Sequence, residues 1–155
     1  MLLVRRAGPV AVSDPPVGVA LRSPTTDDIE ALGRTYFASY PPGVACATEV
    51  EAIDDIRLTY AGEYGVLDLA RSRIAVHGDE IVGAVLVVEH GPWEDVPDCP
   101  FVIEVFTLPA WRRRGLARSM VTTCLAVEPT DVALRVQDGN HAALGLYGHL
   151  GFAQV

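Results

Sequence analysis

The stretch PAWRRRGLARSM, residues 109–120, places three consecutive arginines in an acidic chain. The protein has 155 residues and a formal net charge of −8, and it contains no lysine. The stretch follows the apolar run FVIEVFTL and is predicted to form a tight turn at Gly115 and then a helix. Because the amide N–H groups in the first turn of a helix have no internal acceptors, such a turn attracts anions. We therefore interpret it as a phosphate site.

The charge of the turn supports this interpretation. Positive charge in the first turn of a helix opposes the helix dipole, so a turn that merely faces solvent should carry Asp or Glu, as residues 27–30 do. The turn is not a Walker A loop, which needs a lysine, and it lacks the G-x-G-x-x-G of a dinucleotide site. An ordinary charged turn facing solvent is the alternative.

Length and composition limit the class of protein. A chain of 155 residues fits one domain, and 50% apolar residues favour a folded globule. No apolar run reaches the roughly 20 residues that span a bilayer, so we expect a cytoplasmic protein without a membrane partner. The net charge of −8 argues against a nucleic-acid partner and is compatible with a cationic acceptor.

The cysteines and histidines do not form a metal-ligand pattern. Cys46, Cys99 and Cys124 share no C-x-x-C spacing, and the four histidines contain no H-E-x-x-H. We expect neither a disulfide framework nor a metal site, and we interpret the cysteines as small apolar core residues.

The hydrophobic pattern alternates between strand and helix periodicity. Residues 1–18 are rich in Pro, Gly and Val and are predicted to form a loose arm before a single domain at 19–155. The predicted order in the domain is β-α-α-β-β-β-α-β-α, with a short last strand as an option. Strands interleaved with helices indicate an α/β layer structure, with a central mixed and twisted sheet flanked by about four helices.

Two motifs occur together in this chain. Arg112, Gly115 and Ala117 form the pattern [QR]-x-x-G-x-[GA] after a strand, and residues 140–152 read N-x-x-A-x-x-L-Y-x-x-x-G-F. In order and separation they resemble the signatures of the GNAT superfamily of acyl-CoA N-acyltransferases, and the element order is similar over 19–155. The resemblance implies the GNAT fold. It also implies an enzyme that moves an acetyl group from acetyl-CoA to a primary amine by direct attack in a ternary complex.

The resemblance assigns a site for the acyl donor. It implies that the backbone N–H groups of residues 113–118 cradle the pyrophosphate of acetyl-CoA, with help from the arginine side chains. The preceding strand would offer backbone groups to the rest of the donor. The implied donor-binding positions are Val105, Phe106, Thr107, Arg112, Arg113, Arg114, Gly115, Leu116, Ala117, Arg118 and Asn140.

Two residues are candidates for proton transfer. By resemblance, Tyr147 is the donor to the leaving thiolate; the alternative is a half-buried aromatic with a satisfied hydroxyl. The family's strand glutamate corresponds to Arg135, which cannot act as a base. Glu104 interrupts the apolar strand FVIEVF, where a charge is rarely buried without a purpose or a partner, and is our candidate base. The alternatives are that Glu104 faces solvent, that it forms an ion pair, or that a water chain carries the proton instead.

The acceptor site is only weakly encoded. By resemblance it lies beside residues 36–51, and it would take a small-molecule amine or a protein amino group. The loop HGPWEDVPDCP offers Trp93, Glu94 and Asp95 to a cationic amine, or it is an ordinary solvated loop.

The family pattern continues past Gly-Phe with a strand hairpin that borders the acceptor, whereas this sequence ends at Val155. We therefore expect a shortened domain, or a strand supplied by a partner in a homodimer. Two other functions stay open. One is a non-catalytic sensor or scaffold that holds CoA or acyl-CoA on the same fold. The other is an interaction protein whose arginine run docks on an acidic partner, which leaves the second motif unexplained.

Overall fold

A computed structural model describes residues 1–155, with a seven-stranded sheet at its centre. The strands are β1 (Leu2–Arg5), β2 (Val19–Arg22), β3 (Arg73–His77), β4 (Glu80–Val88), β5 (Phe101–Thr107), β6 (Val132–Arg135) and β7 (Phe152–Gln154). The helices are α1 (Ile29–Ala38), α2 (Glu49–Ala61), α3 (Leu116–Leu125) and α4 (His141–His149). The predicted mixed sheet and four helices are confirmed. No helix combines the length and the apolar character that crossing a bilayer requires.

The helices cover both faces of the sheet, and β4 shows how the sequence achieves this. Successive residues of a strand point to opposite faces. Val85 and Val87 of β4 belong to the core cluster that contains α3, whereas Ala84 and Leu86 belong to the cluster formed with α1 and α2. A strand buried on both faces is apolar throughout, as the sequence IVGAVLVV is.

Two neighbouring strands inside the sheet separate along part of their length. The strand order is β2-β3-β4-β5-β6-β1-β7, and only the β5–β6 pair is parallel. These two strands pair only at Phe101 with Ala133 and at Val102 with Leu134. Beyond Val102 they separate, so that edge of β5 has no strand partner and a gap opens in the sheet.

The N-terminal segment is part of the sheet. Residues 2–5 form β1, which lies between β6 and β7 and is antiparallel to both. The prediction of a loose arm over 1–18 is therefore wrong for these residues. Ladder hydrogen bonds to both neighbours satisfy the backbone, and Leu3 and Val4 are buried. β1 pairs with β7 over Leu3–Arg5 and so covers one edge of that strand.

We expect Leu3→Ala to lower the free energy of unfolding by about 2–5 kcal/mol, because it removes a buried side chain from the largest core cluster. Urea denaturation measures this change. Val12→Ala is the control from the same segment, since Val12 is 53% exposed, and it should change the free energy by less than about 0.5 kcal/mol. Equal effects of the two substitutions would show that β1 does not pack on the sheet in solution.

Candidate active site

The arginine turn connects β5 to α3 through a short 3-10 helix, Pro109–Trp111. Arg113 and Gly115 both have left-handed backbone conformations, with φ of 60° and 80°. The backbone N–H groups of residues 113–118 have no acceptor within the protein, and the first N–H that does is that of Ser119, which bonds to the carbonyl of Gly115. A β-carbon at Gly115 would meet no atom within 4 Å, so the turn is open. A row of unpaired donors at an open helix N-terminus is an arrangement that binds anions.

A cavity of about 300 Å³, called here the turn cavity, lies against these donors. The turn and α3 form one side, and Thr107, Ala142 and Leu146 contribute from β5 and α4. Arg113 and Arg118 lie beside it and pair with no carboxylate. The arginines that do pair with carboxylates are Arg6, Arg22, Arg34, Arg57, Arg71 and Arg135. In a chain with more acids than bases, the free positive charge is therefore concentrated at this turn.

The other two arginines of the turn contact the protein itself. Arg112 donates a hydrogen bond to the carbonyl of Ser39, the residue that ends α1, and so attaches the turn to that helix. The guanidinium of Arg114 stacks on the ring of Trp111, 4.8 Å from its centroid. Both contacts fix the shape of the turn.

A second cavity, the gap cavity, has a volume of about 230 Å³ and lies where β5 and β6 separate. Tyr147 lines it and is only 7% exposed. Burial, followed by the charge of Glu104, raises the pKa of Tyr147 to about 12, and its hydroxyl has no hydrogen-bond partner in the protein. That hydroxyl is therefore protonated at neutral pH and free to donate into the cavity. Asn140 also lines the cavity, and its side-chain oxygen caps α4 by accepting from the N–H of Ala143 at 3.1 Å.

A third cavity, the acid cavity, has a volume of about 200 Å³ and lies between the sheet and the helices α1 and α2. Its side chains include two carboxylates, Asp55 and Glu104, and three aromatic rings, Tyr36, Tyr64 and Trp93. The expected contribution of the loop at 90–100 is only partly found. Trp93 lines the cavity, Glu94 does not, and Asp95 pairs instead with Arg135.

Glu104 lines both the gap cavity and the acid cavity. A β-bulge lies next to it, because Leu86 of β4 pairs with Glu104 whereas the next residue, Val87, pairs with Val102. A bulge bends a strand and redirects its side chains. The hydroxyl of Tyr40 donates to Oε1 of Glu104 at 2.8 Å and holds the carboxyl group in place.

The surroundings of Glu104 tune its affinity for a proton. Burial raises the pKa of Glu104 to about 7, the hydrogen bond from Tyr40 opposes the rise, and the charge of Asp55 adds to it. Burial also raises the pKa of Tyr40, so its hydroxyl acts as a donor. A carboxyl group with a pKa near 7 can both accept and release a proton at neutral pH.

Tyr40 and Asp55 belong to the site but were not singled out from the sequence. Tyr36 lies in the last turn of α1 and Tyr40 two residues beyond its end, whereas Asp55 and Thr59 are four residues apart on α2. Side chains at this spacing share a helix face. A polar residue on the same helix face as apolar core residues was therefore the sequence signal that could have identified Asp55.

The splayed parallel strands, with an open turn of unpaired N–H groups between strand and helix, are the architecture of an acyl-CoA N-acyltransferase. Residues 34–152 match the family model described as the acetyltransferase (GNAT) family, and the chain belongs to that family. It is accordingly assigned as an acyltransferase, and the resemblance of the two motifs is confirmed.

Solved structures of low sequence identity share this fold. A protein of Pyrococcus horikoshii OT3 superposes with a TM-score of 0.71 at 19% identity, covering 88% of this chain and 90% of its own. The aminoglycoside N-acetyltransferase AAC(6')-Iy in complex with CoA superposes with a TM-score of 0.66 at 17% identity, and the match covers 94% of this chain and 93% of that one. Diaminobutyrate acetyltransferase EctA from Paenibacillus lautus, in complex with L-2,4-diaminobutyric acid and coenzyme A, superposes with a TM-score of 0.59 at 19% identity, and the match covers 84% of this chain and 73% of that one. No protein with a curated function matches the sequence significantly.

Proposed function

We propose that this chain is an N-acetyltransferase that moves the acetyl group of acetyl-CoA to a primary amine. The observation that carries the proposal is the position of Glu104, a single carboxyl group that lines both the gap cavity and the acid cavity. Acyl transfer to an amine needs a base that reaches the acceptor beside the acyl donor. The gap cavity, which contains Tyr147, is proposed as the donor side, and the acid cavity as the acceptor side.

The arginine turn suits the pyrophosphate of acetyl-CoA. The unpaired N–H groups of residues 113–118 and the free side chains of Arg113 and Arg118 supply donors and positive charge. The absence of a side chain at Gly115 leaves room for close approach of the phosphates. Two solved structures with the same fold contain CoA, which supports this assignment.

The free edge of β5 is proposed to hold the part of acetyl-CoA that leads from the phosphates to the thioester. Val105 lines the gap cavity and Thr107 lines the turn cavity, so the strand runs between the two. The side chain of Phe106 is buried against Tyr36, and only the backbone of this residue is available to the donor.

The chemistry assigns a separate role to each proton-transfer residue. When bound, the thioester supplies an activated carbonyl carbon. Glu104 accepts a proton from the acceptor ammonium, which has no lone pair until it loses one. As the nitrogen–carbon bond forms and the carbon–sulfur bond breaks, Tyr147 gives its hydroxyl proton to the sulfur. The nitrogen loses its second proton as the amide forms, and this proton restores the hydroxyl of Tyr147 through solvent, while Glu104 releases its proton to solvent. One proton therefore ends on the sulfur and one in solvent, and both side chains are restored.

The second candidate function is a sensor that binds acyl-CoA without turnover. The observation that favours it is Arg135, which stands at the position of the family's strand glutamate and pairs with Asp95. Such a protein would keep the arginine turn but would not need the tyrosine of the gap cavity.

Tyr147→Phe distinguishes the two candidates. We expect kcat to fall about 100-fold, the lower limit for loss of general acid catalysis, while the Kd for acetyl-CoA is unchanged. Release of free thiol measures kcat, and calorimetry measures Kd. Tyr60→Phe is the control, since the hydroxyl of Tyr60 also has no partner but lies away from these three cavities. Equal rates for the parent and Tyr147→Phe would remove the role of this hydroxyl, and binding without any turnover would favour the sensor.

A further inference from the structure

The acid cavity contains two carboxylates without a cationic partner. Asp55 and Glu104 line it, and no arginine pairs with either of them. Each accepts a hydrogen bond from a tyrosine: Tyr64 donates to Oδ1 of Asp55 at 2.5 Å, and Tyr40 donates to Glu104. The bond to Asp55 is the main cause that raises the pKa of Tyr64 to about 12, so this hydroxyl is neutral. Neither hydroxyl cancels the negative charge that it orients.

Two negative groups in one small cavity repel each other and are both partly removed from water. The proposed proton transfer uses only Glu104. Asp55 is half-buried on α2, and apart from its effect on the pKa of Glu104 it takes no part in the proposed proton transfer. A positively charged group of the acceptor, placed beside Asp55, would offset the repulsion and give this carboxylate a function.

Tyr36 supplies a third polar group to the same cavity. The residue is 8% exposed, and its ring packs against Tyr40 and Phe106 at centroid distances of 5.8 Å and 5.3 Å. Burial raises its pKa above the usual range, and its hydroxyl has no partner in the protein. Nearly buried polar groups normally have a hydrogen-bond partner, so a free hydroxyl that lines a cavity indicates a ligand atom. The rings of Tyr64 and Trp93 complete the wall, and aromatic faces attract cations.

The size of the acid cavity limits the acceptor. Its volume of about 200 Å³ lies below the roughly 300–1,000 Å³ that is usual for ligand pockets. Aromatic and aliphatic side chains such as Ile56 and Leu86 make up most of its surface, with the polar groups at few positions. A short, unbranched aliphatic chain with charged ends matches this combination.

We propose that the acceptor is a small aliphatic diamine, whose second ammonium group binds to Asp55 and to the hydroxyl of Tyr36 while the first reacts beside Glu104. The inference rests on the proposed acetyl transfer and adds the class of acceptor. Asp55 is a specificity residue in this arrangement and takes no part in proton transfer. Only one amino group is acetylated in each turnover, because the other is held as an ammonium without access to the base.

The test compares 1,4-diaminobutane with 1-aminopentane, which replaces the second ammonium by a methyl group of similar size. For the parent, we expect kcat/KM to be about 10- to 100-fold higher for the diamine, the range given by loss of a charged hydrogen bond. Asp55→Asn should raise KM for the diamine by a similar factor and bring the ratio of kcat/KM between the diamine and the monoamine close to one. Because the charge of Asp55 also raises the pKa of Glu104, the two amines are compared at the same pH. Asp54→Asn is the matched control on the same helix, since Asp54 is exposed and pairs with Arg57; it should behave as the parent does.

The outcomes separate the acceptor class from the acetyl transfer itself. Equal kcat/KM for the two amines, or equal effects of Asp55→Asn on both, would overturn the diamine proposal and leave the acetyltransferase intact. A lysine-containing peptide used better than either amine would also overturn it, in favour of a protein acceptor. Acetyl-CoA binding without acetylation of any amine would overturn both proposals. Thermal unfolding of each variant, with and without acetyl-CoA, shows that a change in KM does not come from loss of the fold or of the donor site.

Discussion

We expect Glu104→Gln to lower kcat for acetyl transfer by about 10²- to 10⁴-fold, which is the range for loss of a general base. The substitution keeps the size of the side chain, and the amide oxygen can still accept the hydrogen bond that Tyr40 donates to Oε1. It removes only the ability to accept a proton. The Kd for acetyl-CoA should therefore change little, because the arginine turn is untouched.

The pH profile gives the same substitution a second readout. With a pKa of about 7 for Glu104, kcat/KM of the parent should rise with pH through about 7 as the carboxylate forms, and Glu104→Gln should lose this dependence. Because the pKa is raised above that of the unfolded chain, the folded protein binds this proton more tightly. The stabilisation that comes from protonated Glu104 is fully present below the pKa that this group has in the unfolded chain, and it is lost as pH rises through about 7. We therefore expect Glu104→Gln to raise Tm more at pH 8 than at pH 5.

Glu94→Gln is the control for this variant, since Glu94 is exposed in the loop before β5. It should retain the activity and the pH profile of the parent. A kcat for Glu104→Gln within about threefold of the parent would contradict the role of Glu104 as the base and would favour proton transfer through a water chain.

Gly115→Glu should abolish the binding of acetyl-CoA. The new side chain would fill the open turn and place a carboxylate among the N–H groups of residues 113–118, where the pyrophosphate is proposed to bind. Like charges at that position repel the donor, and the introduced carboxylate competes for the same hydrogen bonds. Thermal unfolding measures the loss, because a ligand that binds only the folded state raises its stability by about 2.7 kcal/mol at 100 times Kd.

Gly78→Glu is the matched control for charge and backbone strain. Gly78 lies in the turn between β3 and β4 and has φ of 60°, and a β-carbon there would meet no atom within 4 Å, as at Gly115. Both variants should lose some stability from the left-handed conformation, on the order of 1–2 kcal/mol. Acetyl-CoA should raise Tm for the parent and for Gly78→Glu but not for Gly115→Glu. An undiminished shift in Gly115→Glu would place the donor elsewhere.

The sequence predicted those features that depend on neighbouring residues. The tight arginine turn after an apolar strand and the order of strands and helices after it follow from local turn and periodicity preferences, and the structure contains both. β1 was missed because its stability comes from pairing with residues 132–135 and 152–154, which are far away in the chain. A short apolar run beside prolines gives no local sign of such partners.

In the candidate site, too, local features were predictable from the sequence and tertiary contacts were not. Glu104 was identifiable as a charge within an apolar strand, whereas its relation to Tyr40 and Asp55 arises only when α1 and α2 pack on the sheet. The sequence also suggested that the arginines of the turn act alike. The structure instead attaches Arg112 to Ser39 and leaves others free, a difference set by tertiary contact.

Acetyl transfer by the parent protein can be measured in a single experiment. The parent protein would be incubated with acetyl-CoA and 1,4-diaminobutane, and the products would be measured as acetylated amine by mass spectrometry and as free CoA thiol. We predict equal amounts of the two products, with formation that depends on Glu104. Stabilisation of the fold by acetyl-CoA, with no acetylated product from this diamine or from any amine in a broad panel, would contradict the proposed transfer and identify a binding module.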